Sequence, residues 1–199
     1  MAIDPHWRRE EPETDRADID LLARIGRGER DALHTLYLKY YHPLLRFSYR
    51  ITGQLELAQE AVNDVMLVVW QDARAFEGRS KASTWIMGIA YRKALKLSER
   101  SRRWSQRYAA GDFDEASERL ARGEEPTVRA ELEDLLEQAL SLLPTEQRAV
   151  VELTYFYGCS YEEISKIAGC PVNTVKTRMF HARAKLKKLL PRLGKDELS

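Results

Sequence analysis

The chain predicts an all-α fold in two small helical domains, on three observations. Apolar residues recur three and four positions apart wherever a period exists. Strand-like alternation bounded by turn residues is absent. A stretch poor in apolar residues, with Gly, Asp, Glu and Arg, interrupts the pattern at residues 105–126. The expected organisation is a polar, disordered N-terminus (1–16), a first helical domain (17–104), a flexible acidic linker (105–126) and a second domain with a helix-turn-helix (127–195).

The first domain opens with Ile19, Leu22, Ala23 and Ile25 at helical spacing, stopped by Gly26 and Gly28. Asp31 is placed to cap a longer helix that turns Leu33, Leu36, Tyr37 and Tyr40 inward. Pro43 restarts or kinks it, and Leu44, Leu45, Phe47 and Ile51 carry it to Thr52-Gly53. The next helix, about Leu57 to Ala75, is amphipathic at first, and then Val65 to Trp70 puts apolar groups all the way round. Such a run is either fully buried or covered by a partner, and Asp64 and Asp72 at its ends favour the partner. Residues 76–83 read as a loop whose Ser83 caps a helix from Thr84. That helix carries Arg92, Lys93, Lys96 and Arg100 and runs into Arg102, Arg103 and Trp104. A basic helix beside a polar loop suits single-stranded nucleic acid, where cations meet phosphates and bases stack; the alternative is a solvated face.

In the second domain, Leu132, Leu135, Leu136, Ala139, Leu140 and Leu143 form one helix, stopped by Pro144. Thr145 then caps a helix through Val150, Val151, Leu153 and Phe156, closed by Gly158. Ser160 and Glu163 make a capping box at the start of a short helix faced by Ile164, Ile167 and Ala168. Gly169, Cys170 and Pro171 break it, and a second helix runs from about Val172 to Leu190, which is the helix-turn-helix pattern. At about 100° per residue, Val175, Met179, Ala182, Leu186 and Leu189 share the core side. Asn173, Lys176, Thr177, Phe180, His181, Ala184, Lys187 and Lys188 share the other. An aromatic ring amid cations and hydroxyls gains little by facing water, but in a DNA major groove Lys reaches guanine, Thr reaches base edges or phosphates, and Phe packs on a thymine methyl. A solvated cationic helix is the plainer alternative.

A formal net charge of +1 means that attraction to nucleic acid must come from local patches. The last thirty residues are rich in Lys and Arg, and Asp112 to Glu137 is mostly acidic. No apolar run is long enough to cross a bilayer, and the charged N-terminus lacks a secretory segment, so a cytoplasmic protein is expected. Cys159 and Cys170 have no second pair of ligands at zinc spacing and read as small buried hydrophobes. His6, His34, His42 and His181 make no metal pair, and no phosphate-binding loop or nucleophile elbow is present. Neither cofactor, metal nor catalysis is expected.

The order of motifs resembles the extracytoplasmic-function group of the sigma-70 family, the bacterial promoter-specificity subunits of RNA polymerase. The resemblance rests on LAQEAVNDVMLVVWQDARAFEGRSKASTWIMGIAYRKAL and LPTEQRAVVELTYFYGCSYEEISKIAGCPVNTVKTRMFHARAKL, and covers roughly residues 18–195. It implies that the helix from Asp64 to Asp72 docks on the clamp coiled coil of core polymerase through Asp64, Leu67, Trp70 and Gln71, with a second contact at the flap. It implies that Arg79, Ser80, Lys81, Ser83, Trp85, Arg92 and Lys96 hold the melted −10 strand. The family often has Asn where Arg92 stands, which bears on the −10 preference. The resemblance further implies that Asn173, Lys176, Thr177, Arg178, Phe180 and His181 read the −35 element; helical arithmetic alone leaves Arg178 on a flank. The acidic linker is similar to a segment that threads the polymerase channel, with a plain tether as the alternative. An anti-sigma factor is an expected partner; a small-molecule substrate is not. The competing functions are a stand-alone helix-turn-helix regulator that dimerises on a palindrome, which leaves Asn63–Trp70 and Ser80–Arg92 without a role, and a nucleic-acid enzyme, for which clustered carboxylates are missing.

Overall fold

The structure, a computed structural model, describes residues 12–108 and 128–196, and every regular element among them is helical. In chain order these are α1 (Pro12–Gly26), α2 (Arg30–Thr52), α3 (Leu55–Asp72), α4 (Ala82–Tyr108), α5 (Val128–Ser141), α6 (Thr145–Tyr155), α7 (Tyr161–Ala168) and α8 (Val172–Asp196), with a 3-10 turn at Ala73–Ala75.

In the first module α2, α3 and α4 pack against one another and α1 lies across them. The core is the apolar stripe expected of α2: Leu36, Leu44 and Phe47 are fully buried. Each such side chain contributes about 1.5–3 kcal/mol relative to exposure. Pro43 does not break α2, which runs unbroken through it. The cap expected from Asp31 is not formed; Glu29 holds the N-cap position without a side-chain bond, and Asp31 sits in the first turn.

Helix α1 corrects the expected boundary of the N-terminal tail. Residues 12–16, read as disordered, are helical, and residues 1–11 lie outside the described set. Two carboxylates tie this polar segment down. Asp18 is buried and accepts from Lys39 Nζ at 2.6 Å and from the Tyr40 hydroxyl at 2.6 Å. Asp15 Oδ1 accepts from the Ala82 N–H at 2.9 Å, capping α4 across 67 residues of chain. That bond also moves the start of α4 to Ala82, two residues before the expected Thr84. Ser83 is therefore inside the helix and not its cap. Helix α4 continues to Tyr108, so residues 105–108 of the expected linker are helical and 109–127 lie outside the described residues.

The second module packs α5 and α6 on α8, with α7 against α8. Pro144 takes the N-cap of α6, so Thr145 is its first residue and not its cap. The capping box of α7 forms in full: the Glu163 N–H donates to Ser160 Oγ and the Ser160 N–H to Glu163 Oε2 at 2.8 Å. Gly169 ends α7 at φ 62°, a left-handed conformation that any Cβ would strain. Of the core stripe of α8, Val175, Met179 and Ala182 are buried, and Leu186 and Leu189 are half-buried. The helix passes its expected end at Leu190 and includes Pro191.

The buried residues of the two modules form one continuous apolar cluster. Helix α7 packs on α4, and α6 on α2. Between α2 and α6, Arg50 Nη1 donates to Glu152 Oε2 at 2.7 Å, with Glu152 at 0% side-chain exposure and Arg50 at 14%. Arg148 Nη1 donates to the Arg50 carbonyl at 2.6 Å, and the Tyr157 hydroxyl to the Pro43 carbonyl at 2.6 Å. Phe47 meets the Tyr157 ring edge-on at 5.5 Å, and the Arg50 guanidinium lies 4.1 Å from the Phe156 ring centre.

Candidate nucleic-acid interface

The recognition helix follows from its turn. Pro171 starts α8, its carbonyl accepting from the Thr174 and Val175 N–H groups, and Ser165 Oγ donates to the Cys170 carbonyl at 2.6 Å to hold the bend. The burial of Val175, Met179 and Ala182 then turns the opposite face outward. Asn173, Lys176, Thr177, Phe180 and His181 are all exposed, and Phe180 shows 69% of its surface. The Thr177 hydroxyl donates to the Asn173 carbonyl at 2.9 Å, and the Phe180 and His181 rings meet at 5.5 Å. This is a solvent-facing strip of cation, hydroxyl, amide and aromatic groups on one helix, the chemistry of major-groove readout.

Arg178 stands apart from that strip. Its side chain is largely covered, 3.6 Å from Glu146 Oε1 and 3.6 Å from Cys170 Sγ. It also faces the buried Tyr91 of α4, whose hydroxyl burial pushes up in pKa against the pull of Arg178. The flank given by helical arithmetic is where the structure has it. Further along α8, Arg183 donates to the Tyr155 hydroxyl at 2.6 Å and Lys185 to the Leu142 carbonyl at 2.7 Å, so these cations hold the module together.

The expected strand-binding residues of the first module fall into two sets. Arg92 and Lys96 are exposed on α4. Trp85 is half-buried against Phe76, with ring centres 5.5 Å apart. Arg79 is exposed and pairs with Glu77 at 2.8 Å, and Ser80 Oγ donates to the Lys81 carbonyl at 3.3 Å. Lys81, in contrast, pairs with Glu163 of the second module at 3.2 Å, and Ser83 is half-buried. Burial opposes the charge on Glu163, but the Ser160 N–H and Lys81 outweigh it and hold the carboxyl below its ordinary pKa.

Helix α3 resolves the all-round apolar run. Val65, Met66 and Val69 are buried, Val68 and Trp70 are half-buried, and Leu67 is 52% exposed. The outward stripe is Gln59, Asn63, Leu67 and Gln71, beside Asp64, which pairs with Lys93 at 3.0 Å. Beside it α3 and α4 form a cleft lined by Glu60, Asp64, Lys93, Arg100 and Trp104. Missed altogether from sequence was Glu152, an acid inside the apolar run AVVELTYF; a carboxylate at a core-facing position is the signal that marks it.

Among the described residues no group of three or more His, Cys, Asp or Glu could hold a metal, and no helix is long and apolar enough to cross a membrane. Two helical modules, one with an open helix-turn-helix recognition face, define a DNA-reading transcription protein. Residues 36–104 match the family model "Sigma-70 region 2" and residues 133–186 match "Sigma-70, region 4". The chain is 30% identical to the RNA polymerase sigma-H factor of Pseudomonas aeruginosa over 190 residues, covering 92% of this chain and 98% of that one. It is 29% identical to the RNA polymerase sigma factor YlaC of Bacillus subtilis, covering 84% of this chain and 97% of that one. It is also 29% identical to the ECF RNA polymerase sigma factor SigM of Mycobacterium tuberculosis, covering 88% and 86%. The fold matches that of sigma factor RpoE of Bartonella quintana, solved with the anti-sigma factor NepR (TM-score 0.65, 23% identity, 79% of this chain and 96% of that one). CnrH, solved with the cytosolic domain of CnrY, gives TM-score 0.65 at 23% identity over 88% and 98%. The chain belongs to the sigma-70 family and is a sigma factor of the extracytoplasmic-function group.

Proposed function

We propose that this sigma factor carries core RNA polymerase to promoters by two contacts with DNA and performs no catalysis of its own. The observation that carries this reading is the exposed strip Asn173, Lys176, Thr177, Phe180 and His181 on a helix held by a capping box and a left-handed glycine. In the −35 duplex, Lys176 and Asn173 meet base edges and Phe180 a thymine methyl, while Lys187 and Lys188 meet phosphates. Arg178 contributes only if its pair with Glu146 is exchanged for a phosphate. The −10 strand is held by Arg79, Ser80, Lys81, Ser83, Trp85, Arg92 and Lys96, with cations on phosphates and the indole as a stacking surface. Energy released on the unstacked bases favours the melted state over the duplex.

The stripe around Asp64, Leu67, Trp70 and Gln71 docks on the clamp coiled coil of the polymerase, with the second module at the flap. An exposed Leu on a polar stripe suits such a contact: it anchors without making a patch large enough to aggregate. The site of action is the cytoplasm, and an anti-sigma factor is a partner of the inactive state.

The test is transcription in vitro with core polymerase on a library of duplex promoters. Initiation at a defined subset, with paired −35 and −10 elements, is the expected result. No initiation on any template would overturn the reading. A symmetric footprint made without polymerase would favour a stand-alone regulator.

A further inference from the structure

The loop at residues 76–81, which carries Arg79, Ser80 and Lys81, is fastened at both ends to one helix, α1. At its far end the Ala82 N–H, the first of α4, donates to Asp15 Oδ1 at 2.9 Å. At its near end the 3-10 turn Ala73–Ala75 packs on α1, and Arg74 Nε donates to the Gly26 carbonyl. Both bonds use groups that a helix end leaves over: a leading N–H of α4 and a trailing carbonyl of α1. Each is charge-assisted, with a carboxylate at the positive end of one helix dipole and a guanidinium at the negative end of the other. Gly26 serves the second bond, because a methyl group there would lie 3.1 Å from Arg74 Cγ. Phe76, the first residue of the loop, lines a cleft with Ile19, Leu22 and Ala23 of α1 and also meets the Trp85 ring at 5.5 Å.

Helix α1 has other anchors of its own. Leu22 and Ile25 are buried, and Asp18 is bound to Lys39 and Tyr40. What Asp15 and Arg74 fix is therefore the loop. Their two anchor points are about 16 Å apart along a stiff helix at 1.5 Å per residue. A short loop pinned at that spacing has far fewer shapes than one hung between α3 and α4 alone. A carboxylate beside a phosphate-binding loop works against the charge of that loop, so the contribution of Asp15 is to its shape.

We infer that α1 is a positioning strut for capture of the melted strand: Asp15 and Arg74 hold residues 76–81 in the form that receives −10 bases before DNA arrives. The inference rests on the strand-binding role proposed above for Arg79, Ser80, Lys81, Ser83 and Trp85. Neither Asp15 nor Arg74 touches DNA; each acts through the loop. Unpinned, the loop must order at every binding event, and affinity falls with the fraction of time it holds the competent shape. A loosened loop keeps its cations and so its hold on phosphates. It loses the fixed placing of the groups that face the bases, so the cost falls on the cognate strand.

The experiment uses holoenzyme assembled from core polymerase and the full chain, as the parent and as Asp15→Ala, Asp15→Asn and Arg74→Ala. Fluorescence anisotropy reports binding of a labelled single non-template −10 strand, from a promoter selected with the parent, and of the same strand with its −10 bases scrambled. Asp15→Ala and Arg74→Ala are expected to bind the cognate strand about tenfold more weakly, and the scrambled strand within about twofold of the parent. Asp15→Asn keeps an acceptor for the Ala82 N–H and is expected to recover most of the cognate affinity. Parent-like cognate binding in both alanine variants would overturn the strut. An equal loss on both strands would also overturn it, marking a purely structural role, as would failure of Asp15→Asn to recover the cognate strand. Arg79→Ala with Arg92→Ala tests the underlying reading separately. If cognate binding survives that pair, the strand-binding role fails and the strut with it; if that pair weakens it while the alanine variants do not, the strut alone is lost.

Discussion

Glu163 serves two structures with one carboxylate. It closes the capping box of α7 through the Ser160 N–H, and it reaches Lys81 of the other module. Its depressed pKa means that this stabilisation is fully present above the ordinary glutamate range and is lost as pH falls through the folded-state value. Acidification should therefore loosen α7 and the bridge to α4 together, seen as loss of compactness before loss of helicity by circular dichroism. Ser160→Ala should lower the stability of the second module by about 0.5–2 kcal/mol in a denaturant melt. Lys176 is a residue of the opposite kind, exposed and free to choose its partner. Lys176→Ala should reduce discrimination for the −35 element by about 1–3 kcal/mol in transcription assays. An equal loss on every sequence would mark it as a phosphate contact alone.

At the scale of elements, α3 and α4 divide their surfaces by use. Helix α3 buries Val65, Met66 and Val69 and leaves Leu67 and Gln71 outward, so one helix builds the core and presents the stripe proposed above to dock on polymerase. Asp64→Arg should weaken binding to core polymerase in a pull-down without unfolding the module. Its pair with Lys93 is partly exposed, and such pairs are worth about 0–1 kcal/mol. Unchanged affinity would remove α3 from the docking surface. Helix α4 is enclosed from Ile86 to Tyr91, six buried residues in succession, because α2 and α3 cover one side and α7 the other. An amphipathic reading anticipates only the first of those coverings.

For the whole molecule, one of the two contacts between modules, α6 on α2, carries a buried ion pair. Removing one partner of such a pair costs about 3–5 kcal/mol where the remaining charge stays buried. Here the chain has an escape, since opening returns Arg50 to water. Glu152→Ala should therefore leave both modules folded and convert a compact particle into an extended one, read by scattering and by unchanged helical content. Loss of helicity instead would mean that the pair supports the fold of the second module.

The amino-acid sequence by itself determined the helices, the helix-turn-helix and the open face of α8. These depend on short-range chemistry: 3.6-residue periodicity, the Ser160–Glu163 box, the Gly169 turn and the alternation of Val175, Met179 and Ala182 with Lys176, Thr177 and Phe180. Bonds between distant segments were not legible. The capping of α4 by Asp15, the anchoring of α1 by Asp18 and the pairing of Arg50 with Glu152 join residues far apart in the chain, and a polar residue in isolation reads as solvated. Only the tertiary structure decided that the modules meet, because whether a carboxylate faces water or a guanidinium depends on what the fold brings opposite it.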